Sequence, residues 1–87
     1  MSKIDEKELR ELFQELKKGN KNLAIEKLYY KYKKMVYGIA FSILKKKEEA
    51  EDILQIVFLK LYTIDERKLP NSKESSWLYM VTKNEAI

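Results

Sequence analysis

The sequence contains neither cysteine nor histidine. Without cysteine there is no disulfide and no thiolate nucleophile. Without either residue, the usual zinc ligands and the most common general base are missing. We therefore expect no enzymatic activity, no metal and no cofactor. The lack of cysteine also agrees with a cytoplasmic location, because disulfides are rare there.

Glycine, proline and long apolar runs are also scarce. The 87 residues include two glycines and one proline, although 45% are hydrophobic, and this combination favours helices with short connections over disorder. No apolar run approaches the length of a membrane span, and the charged N-terminus lacks a signal-peptide core. The sequence therefore predicts one small all-α domain, a compact four-helix unit with a longer loop before the last helix, and no membrane partner.

Charge is unevenly distributed along the chain. The net charge is +4, but residues 1–47 carry 13 basic and six acidic side chains (net +7), whereas residues 48–87 carry five and eight (net −3). Such an asymmetry suggests two partners of different polarity, although lysine-rich solvated helix faces are common and, taken by itself, the charge distribution favours them.

Apolar periodicity predicts the first two helices. Ile4–Lys18 has apolar residues at the spacing of one helical face, and Gly19 provides a stop. A second helix is expected to begin near Asn22, which can cap it, and to end near Lys46. Gly38 lies inside it, and a close crossing of another helix would explain a residue that disfavours helix. The apolar face of this helix is expected to contain Leu28, Tyr32, Met35, Val36, Ile39, Ala40, Ile43 and Leu44.

A third helix is predicted over residues 48–62. Its first turn is acidic, which the helix dipole favours. Apolar residues recur at positions 50, 53, 54, 57, 58 and 61, the spacing of one buried face. Asp52 and Gln55 lie three residues apart on a different face, and their spacing alone indicates no more than solvated surface.

A loop and a last helix complete the predicted fold. Residues 63–74 contain the one proline and several turn-forming residues, so they are predicted to form a surface loop. Ser72 or Ser75 is predicted to cap the last helix. We interpret Trp77 in this helix as a core anchor rather than a partner for a stacked base. The tyrosines of the second helix are likewise interpreted as packing residues rather than a base-stacking platform, namely Tyr29, Tyr30, Tyr32 and Tyr37.

The third helix carries a pattern that resembles a known family. Its Ala-Glu-Asp-x-x-Gln-x-x-Phe-x-x-x-Tyr, from Ala50 to Tyr62, resembles the second conserved region of bacterial RNA polymerase sigma factors of the extracytoplasmic-function group. In that family this helix docks on the coiled coil of the largest polymerase subunit. The resemblance therefore implies a polymerase-binding site at Glu51, Asp52, Gln55 and Ile56. The family usually has glutamate where Ile56 stands, so a charge is missing from the expected contact.

The loop and last helix extend the resemblance. The family's loop helps to form the pocket that captures a base flipped from the promoter's minus-ten element. The Trp77-Leu78 pair, with an asparagine seven residues after the tryptophan, resembles the family's minus-ten motif. A basic residue is common where Met80 stands, and its loss should weaken phosphate attraction. The implied contacts to single-stranded promoter DNA are Lys68, Asn71, Lys73, Lys83 and Asn84.

The resemblance also implies a domain organisation. Residues 1–21 are expected to form an N-terminal helix and residues 22–87 the sigma region 2-like domain. The chain stops at Ile87 inside a helical pattern, whereas family members continue into a domain that reads the minus-thirty-five element, so a fragment of a longer protein is expected. The expected partners are core RNA polymerase and promoter DNA, and an anti-sigma factor stays open.

Two other functions stay open. One is a helical protein-interaction module that makes no contact with nucleic acid. The other is a duplex DNA binder of the helix-turn-helix type, although the long connection before the last helix disagrees with the tight turn of that motif.

Overall fold

A computed structural model describes residues 5–87, which form four α-helices. These are α1 (Glu6–Lys17), α2 (Lys21–Leu44), α3 (Lys47–Thr63) and α4 (Glu74–Ala86), with a short 3₁₀ helix at Glu66–Lys68 between the last two. The long α2 contacts the other three α-helices. The predicted all-α fold with four helices is therefore confirmed; Ile4, the predicted first residue of α1, lies outside the described residues.

The first helix packs one apolar face into the core. Its N-terminus is capped by Asp5, whose carboxylate accepts a hydrogen bond from the Glu8 backbone N–H at 3.2 Å. Gly19 ends the helix region with φ 93°, a left-handed conformation that favours glycine. The buried residues of α1 are Leu9, Leu12, Phe13 and Leu16.

Both predicted ends of α2 need correction. The helix begins at Lys21 after Asn20, so Asn22 lies inside it and caps nothing. The Asn20 amide nitrogen donates to Glu15 at 2.7 Å, which draws this side chain back towards α1. At the other end, Lys45 leaves the helix in a left-handed conformation (φ 60°) and donates its N–H to Phe41. The helix therefore stops before Lys46.

The core is built from stripes at helical spacing. In α3 all six predicted apolar positions are buried, namely Ala50, Ile53, Leu54, Val57, Phe58 and Leu61. In α2 the buried stripe has a strict four-residue spacing: Ala24, Leu28, Tyr32, Val36 and Ala40. Of the other residues predicted on the α2 face, Met35, Ile39 and Leu44 are partly buried, whereas Ile43 is exposed. Gly38 has open space where a Cβ would point, with no described atom within 4 Å, so a close helix crossing does not explain this glycine.

Tyr32 belongs to this core but keeps a polar contact at its edge. Its hydroxyl donates to the Asp5 carbonyl at 3.4 Å. Burial raises the pKa of Tyr32 to about 12, and the negative charges of Glu8, Asp5 and Glu6 add to the effect. The phenol is therefore held in its neutral form.

The connection before α4 is more ordered than a plain loop. The Asp65 carboxylate accepts from the Arg67 backbone N–H at 2.9 Å and starts the 3₁₀ helix, and Leu69 is buried. Neither predicted serine caps α4, because Ser72 precedes it and Ser75 already lies within it. Lys73 occupies the cap position in a left-handed conformation (φ 53°).

Within residues 5–87, no helix is long and apolar enough to cross a membrane. The same residues contain no group of three or more acidic side chains arranged to hold a metal ion.

Candidate protein-binding and nucleic-acid interface

The four residues predicted to bind polymerase are all exposed on α3. Glu51, Asp52, Gln55 and Ile56 occupy adjacent positions on two successive turns, which places them on one outer patch of the helix. The residues between them, Ile53 and Leu54, are buried, as are Val57 and Phe58 in the following turn. Because that stripe is buried, the orientation of α3 about its own axis is fixed, and the patch faces outward.

The residues of this patch border two different depressions, one of which is a groove between α2 and α3. Glu51 and Gln55 line a cavity of about 460 Å³ whose opposite wall is formed by α2. Asp52 instead lines a smaller depression of about 240 Å³ that includes Glu49 and Glu85. The α2 wall of the larger groove consists of Tyr29, Lys33, Lys34 and Tyr37.

This basic and aromatic wall was not anticipated from the sequence. Tyr29 packs edge-on against Phe58 with ring centroids 5.1 Å apart. The Lys33 ammonium lies 5.6 Å from the Tyr29 ring centroid and 5.8 Å from that of Tyr30, within the range of cation–π attraction. The sequence does contain a sign of this wall, because lysines and tyrosines are interleaved over residues 29–37. The buried positions of α2 repeat every four residues and include Tyr32, whereas Tyr29 and Tyr30 fall between them and are exposed.

The packing role predicted for the tyrosines is therefore only partly correct. Tyr32 is buried, Tyr37 is partly buried and Tyr29 contacts Phe58, but Tyr30 is 79% exposed. Tyr30 lines a second groove at the start of α2, about 580 Å³ in volume, which Tyr29 also borders. The walls of this second groove are mostly apolar and include Leu23, Ile25 and Tyr62.

In the loop, the predicted DNA-binding residues are exposed, but one of them is already engaged. Lys68, Asn71 and Lys73 are all exposed. The Lys17 ammonium donates to the Pro70 carbonyl at 2.9 Å and to the Asn71 side-chain oxygen at 2.7 Å. Asn71 is therefore held by α1, a contact that sequence reasoning missed.

Neighbouring charges in the loop are paired locally. The Arg67 guanidinium contacts the Asp65 carboxylate through two nitrogens, at 2.8 Å for Nη2 and 3.2 Å for Nε. These hydrogen bonds lower the pKa of Asp65 below its usual value. Arg67 is thus tied to a carboxylate within its own turn.

The start of α4 is anchored on α1. Glu74 is 1% exposed, and its carboxylate accepts from Arg10 Nε at 3.2 Å. One turn further, Trp77 packs edge-on against Phe13 with ring centroids 5.7 Å apart. Trp77 is partly buried against the core, which confirms its predicted role as an anchor.

The outer face of α4 carries the remaining predicted residues. Lys83 and Asn84 are exposed, and so are Tyr79 and Met80 one turn earlier. The opposite face buries Leu78, Thr82 and Ala86. The Thr82 hydroxyl donates to the Leu78 carbonyl at 2.8 Å and is satisfied inside the helix.

The fold and these surfaces define a small helical domain with an exposed, mostly polar patch on one helix and a polar loop-and-helix surface beyond it. The chain belongs to the family described as Sigma-70 region 2, which matches residues 28–87. This confirms the resemblance seen in the sequence.

Two curated relatives come from Bacillus subtilis strain 168. The chain is 35% identical over 65 residues to the ECF RNA polymerase sigma factor SigM, covering 75% of this chain and 39% of the relative. It is 30% identical over 79 residues to the ECF RNA polymerase sigma factor SigW, covering 91% of this chain and 42% of the relative. The chain thus spans about two fifths of the length of these relatives. No solved structure gives a significant match.

Proposed function

We propose that this chain is the promoter-opening domain of an alternative sigma factor. It binds core RNA polymerase through the α3 patch and holds the single-stranded minus-ten element with the loop at 68–73 and α4. The observation that carries the proposal is the exposure of Glu51, Asp52, Gln55 and Ile56 beside a buried apolar stripe, in a chain of the Sigma-70 region 2 family. Catalysis belongs to the polymerase, the domain acts in the cytoplasm, and an anti-sigma factor is a further partner to test.

The α3 patch suits a polar helical partner. Gln55 offers both a donor and acceptors from its carboxamide, and Glu51 and Asp52 offer acceptors only. The groove beside Gln55 adds Lys33 and Lys34 on its far wall. A coiled-coil surface with charges of both signs is therefore complementary to this region, and such complementarity sets orientation more than affinity.

The loop and α4 suit single-stranded nucleic acid. Lys68, Lys73 and Lys83 are exposed cations that attract phosphate, while the Asn84 carboxamide can hydrogen-bond to a base edge. Few cations are grouped on this surface, so we expect the isolated chain to bind DNA weakly and with strong salt dependence. The division into residues 1–21 and 22–87 stays a prediction.

Polymerase docking is tested by titrating the chain against the isolated coiled-coil segment of the largest polymerase subunit. We expect Gln55→Ala to weaken binding by about fivefold, because a hydrogen-bonded side chain at a contact contributes on the order of 1 kcal/mol. Gln14→Ala removes another exposed glutamine, on α1, and should bind like the unchanged chain. Equal affinity of both variants, each shown to be folded by circular dichroism, would refute the docking site.

DNA binding is tested with single-stranded and duplex promoter fragments in the presence of polymerase. We expect Asn84→Ala to reduce promoter binding while the affinity for the coiled-coil segment is unchanged. Asn22→Ala, on α2, is the matched control. A preference for duplex would favour the helix-turn-helix alternative, and the absence of any DNA binding would favour the protein-interaction module.

A further inference from the structure

One face of α1 lies against the segment that joins the 3₁₀ helix to α4. Arg10, Phe13 and Lys17 are spaced three and four residues apart, the spacing of a single helical face. Each contacts this segment or the first turn of α4. The partners are Glu74 for Arg10, Trp77 for Phe13, and Pro70 with Asn71 for Lys17.

The segment between these contacts is fixed at both ends. Leu69 is buried on one side and Glu74 on the other, whereas Asn71, Ser72 and Lys73 between them are exposed. The exposed stretch is therefore short, and Lys17 holds it from α1 through two hydrogen bonds. A span this short, with a buried residue at each end and hydrogen bonds from Lys17, has few alternative conformations.

The contact with Lys17 also determines which way the Asn71 amide faces. An ammonium group has three N–H donors and no acceptor, so the Asn71 atom at 2.7 Å from it is the side-chain oxygen. With that oxygen occupied by Lys17, the amide nitrogen, which carries two N–H donors, is the Asn71 group left to bind a further partner. The loop thus presents donors at this position.

We infer that Lys17 is a positioning residue for the proposed DNA-binding loop, holding Asn71 so that its amide nitrogen donates to an acceptor atom on the edge of an unpaired base. The inference rests on the proposed function and adds a recognition rule to it. Pyrimidine carbonyl oxygens and unprotonated ring nitrogens of purines are such acceptors. Lys17 acts through Asn71 and does not itself contact DNA.

The test compares Lys17→Met with Lys18→Met, which removes the same charge one residue further along. Lys18 is exposed and pairs with Glu15 on its own helix at 3.8 Å. A fluorescent single-stranded DNA library of randomised sequence is the probe, and binding is followed by anisotropy with the whole chain. We expect Lys17→Met to lose at least about threefold more affinity than Lys18→Met, which corresponds to the lower end of the net contribution of one hydrogen bond. Equal losses would overturn the inference.

Two further readouts separate positioning from general destabilisation. The affinity for the polymerase coiled-coil segment should be the same for both lysine variants, because α3 lies outside the contact. In an Asn71→Ala background, Lys17→Met should have a much smaller effect on DNA binding than in the unchanged chain, since residues that act through one another are not additive. Full additivity would overturn the inference while leaving the proposed function intact.

Backbone ¹⁵N relaxation gives a measurement that is independent of DNA. We expect residues 70–73 to become more mobile on the picosecond-to-nanosecond timescale in Lys17→Met but not in Lys18→Met. An unchanged loop would overturn the inference whatever the DNA result. If the unchanged chain binds no DNA, alone or with polymerase, the proposed function fails and the inference fails with it.

Discussion

Arg10 Nε lies 3.2 Å from a carboxylate oxygen of Glu74, and the two residues belong to the first and last helices of the fold. The Glu74 side chain is almost completely buried, whereas about half of the Arg10 side chain is exposed. A carboxylate in such a place needs a partner, because an unpaired buried charge is strongly unfavourable. Glu74 also lies in the first turn of α4, where the helix dipole favours a negative charge.

Arg10→Gln is expected to lower the free energy of unfolding by about 1–3 kcal/mol, since it leaves the Glu74 carboxylate without its cation. The lower part of that range is favoured because the Arg10 side chain is partly screened by water. Urea unfolding followed by circular dichroism measures the change. A second substitution, Glu74→Gln, removes the stranded charge and should restore part of the stability.

Arg67 provides the matched control for this prediction. It also pairs with a carboxylate, that of Asp65, but both side chains lie at the surface and in the same turn. Arg67→Gln should therefore change the unfolding curve little, as exposed ion pairs contribute little to stability. Equal effects of the two arginine substitutions would contradict the role assigned to the buried carboxylate.

The helices were predictable because their information is local. In α3 the apolar positions repeat at helical spacing, and all of them are buried. The exposure of Asp52 and Gln55 follows from the same periodicity, because the polar patch is the complement of the buried stripe. What the periodicity leaves undetermined is the neighbour across the groove. That neighbour depends on how α2 packs on α3.

The starts of α2 and α4 and the loop contacts were not predictable, because they depend on contacts between different elements of the fold. Asn20 is drawn to Glu15 rather than capping α2, and α4 begins at Glu74 where Arg10 receives it. The bonds from Arg10 to Glu74 and from Lys17 to Asn71 join residues 64 and 54 positions apart. No local spacing rule reports such pairs, and the segment that they hold is the one on which the proposed DNA contact depends.

Gly38→Ala is expected to stabilise the fold. Gly38 lies inside α2, and a Cβ there would meet no described atom within 4 Å, so alanine fits without strain. Alanine is favoured over glycine in a helix interior by about 0.5–1 kcal/mol. In a domain of this size, such a gain raises the melting temperature by roughly 4 °C, which calorimetry resolves.

The second glycine of the chain supplies the opposite case. Gly19 has φ 93°, a conformation in which any side chain is strained, even though its surroundings are equally open. Gly19→Ala should therefore lower the melting temperature. Stabilisation by both substitutions would show that helix propensity and backbone conformation do not account for these positions.

Ionisation of the Tyr32 phenol is expected to lower the free energy of unfolding at alkaline pH. Its pKa is raised to about 12 by burial and by Glu8, Asp5 and Glu6, whereas a tyrosine in an unfolded chain ionises near pH 10. A folded-state pKa above the unfolded one means that the neutral phenol stabilises the fold. That contribution is complete below about pH 10 and is lost as the pH rises through about 12.

The measurement compares Tyr32→Phe with Tyr30→Phe, which removes a highly exposed tyrosine from the same helix. Tyrosinate absorbance should show a late ionisation step in the unchanged chain and in Tyr30→Phe, and no such step in Tyr32→Phe. The free energy of unfolding should also decline less between about pH 10 and 12 in Tyr32→Phe.

Ile56→Glu is expected to strengthen binding to the polymerase coiled-coil segment. Ile56 is 42% exposed beside Gln55 on α3, and the family usually has glutamate at this position. A carboxylate at the edge of the contact should gain about threefold in affinity, the scale of one exposed ion pair. The gain should disappear in high salt, because the interaction between exposed charges is screened.

Leu23→Glu is the control for this substitution. Leu23 is also exposed, but it lies on α2 and outside the four-residue patch, so a carboxylate there should leave the affinity unchanged. If Ile56→Glu instead weakens binding, and the loss persists in high salt, then the contact at this position is apolar. The isoleucine would then contribute to binding through burial of apolar surface, and this chain would pair with its polymerase differently from family members that carry the acid.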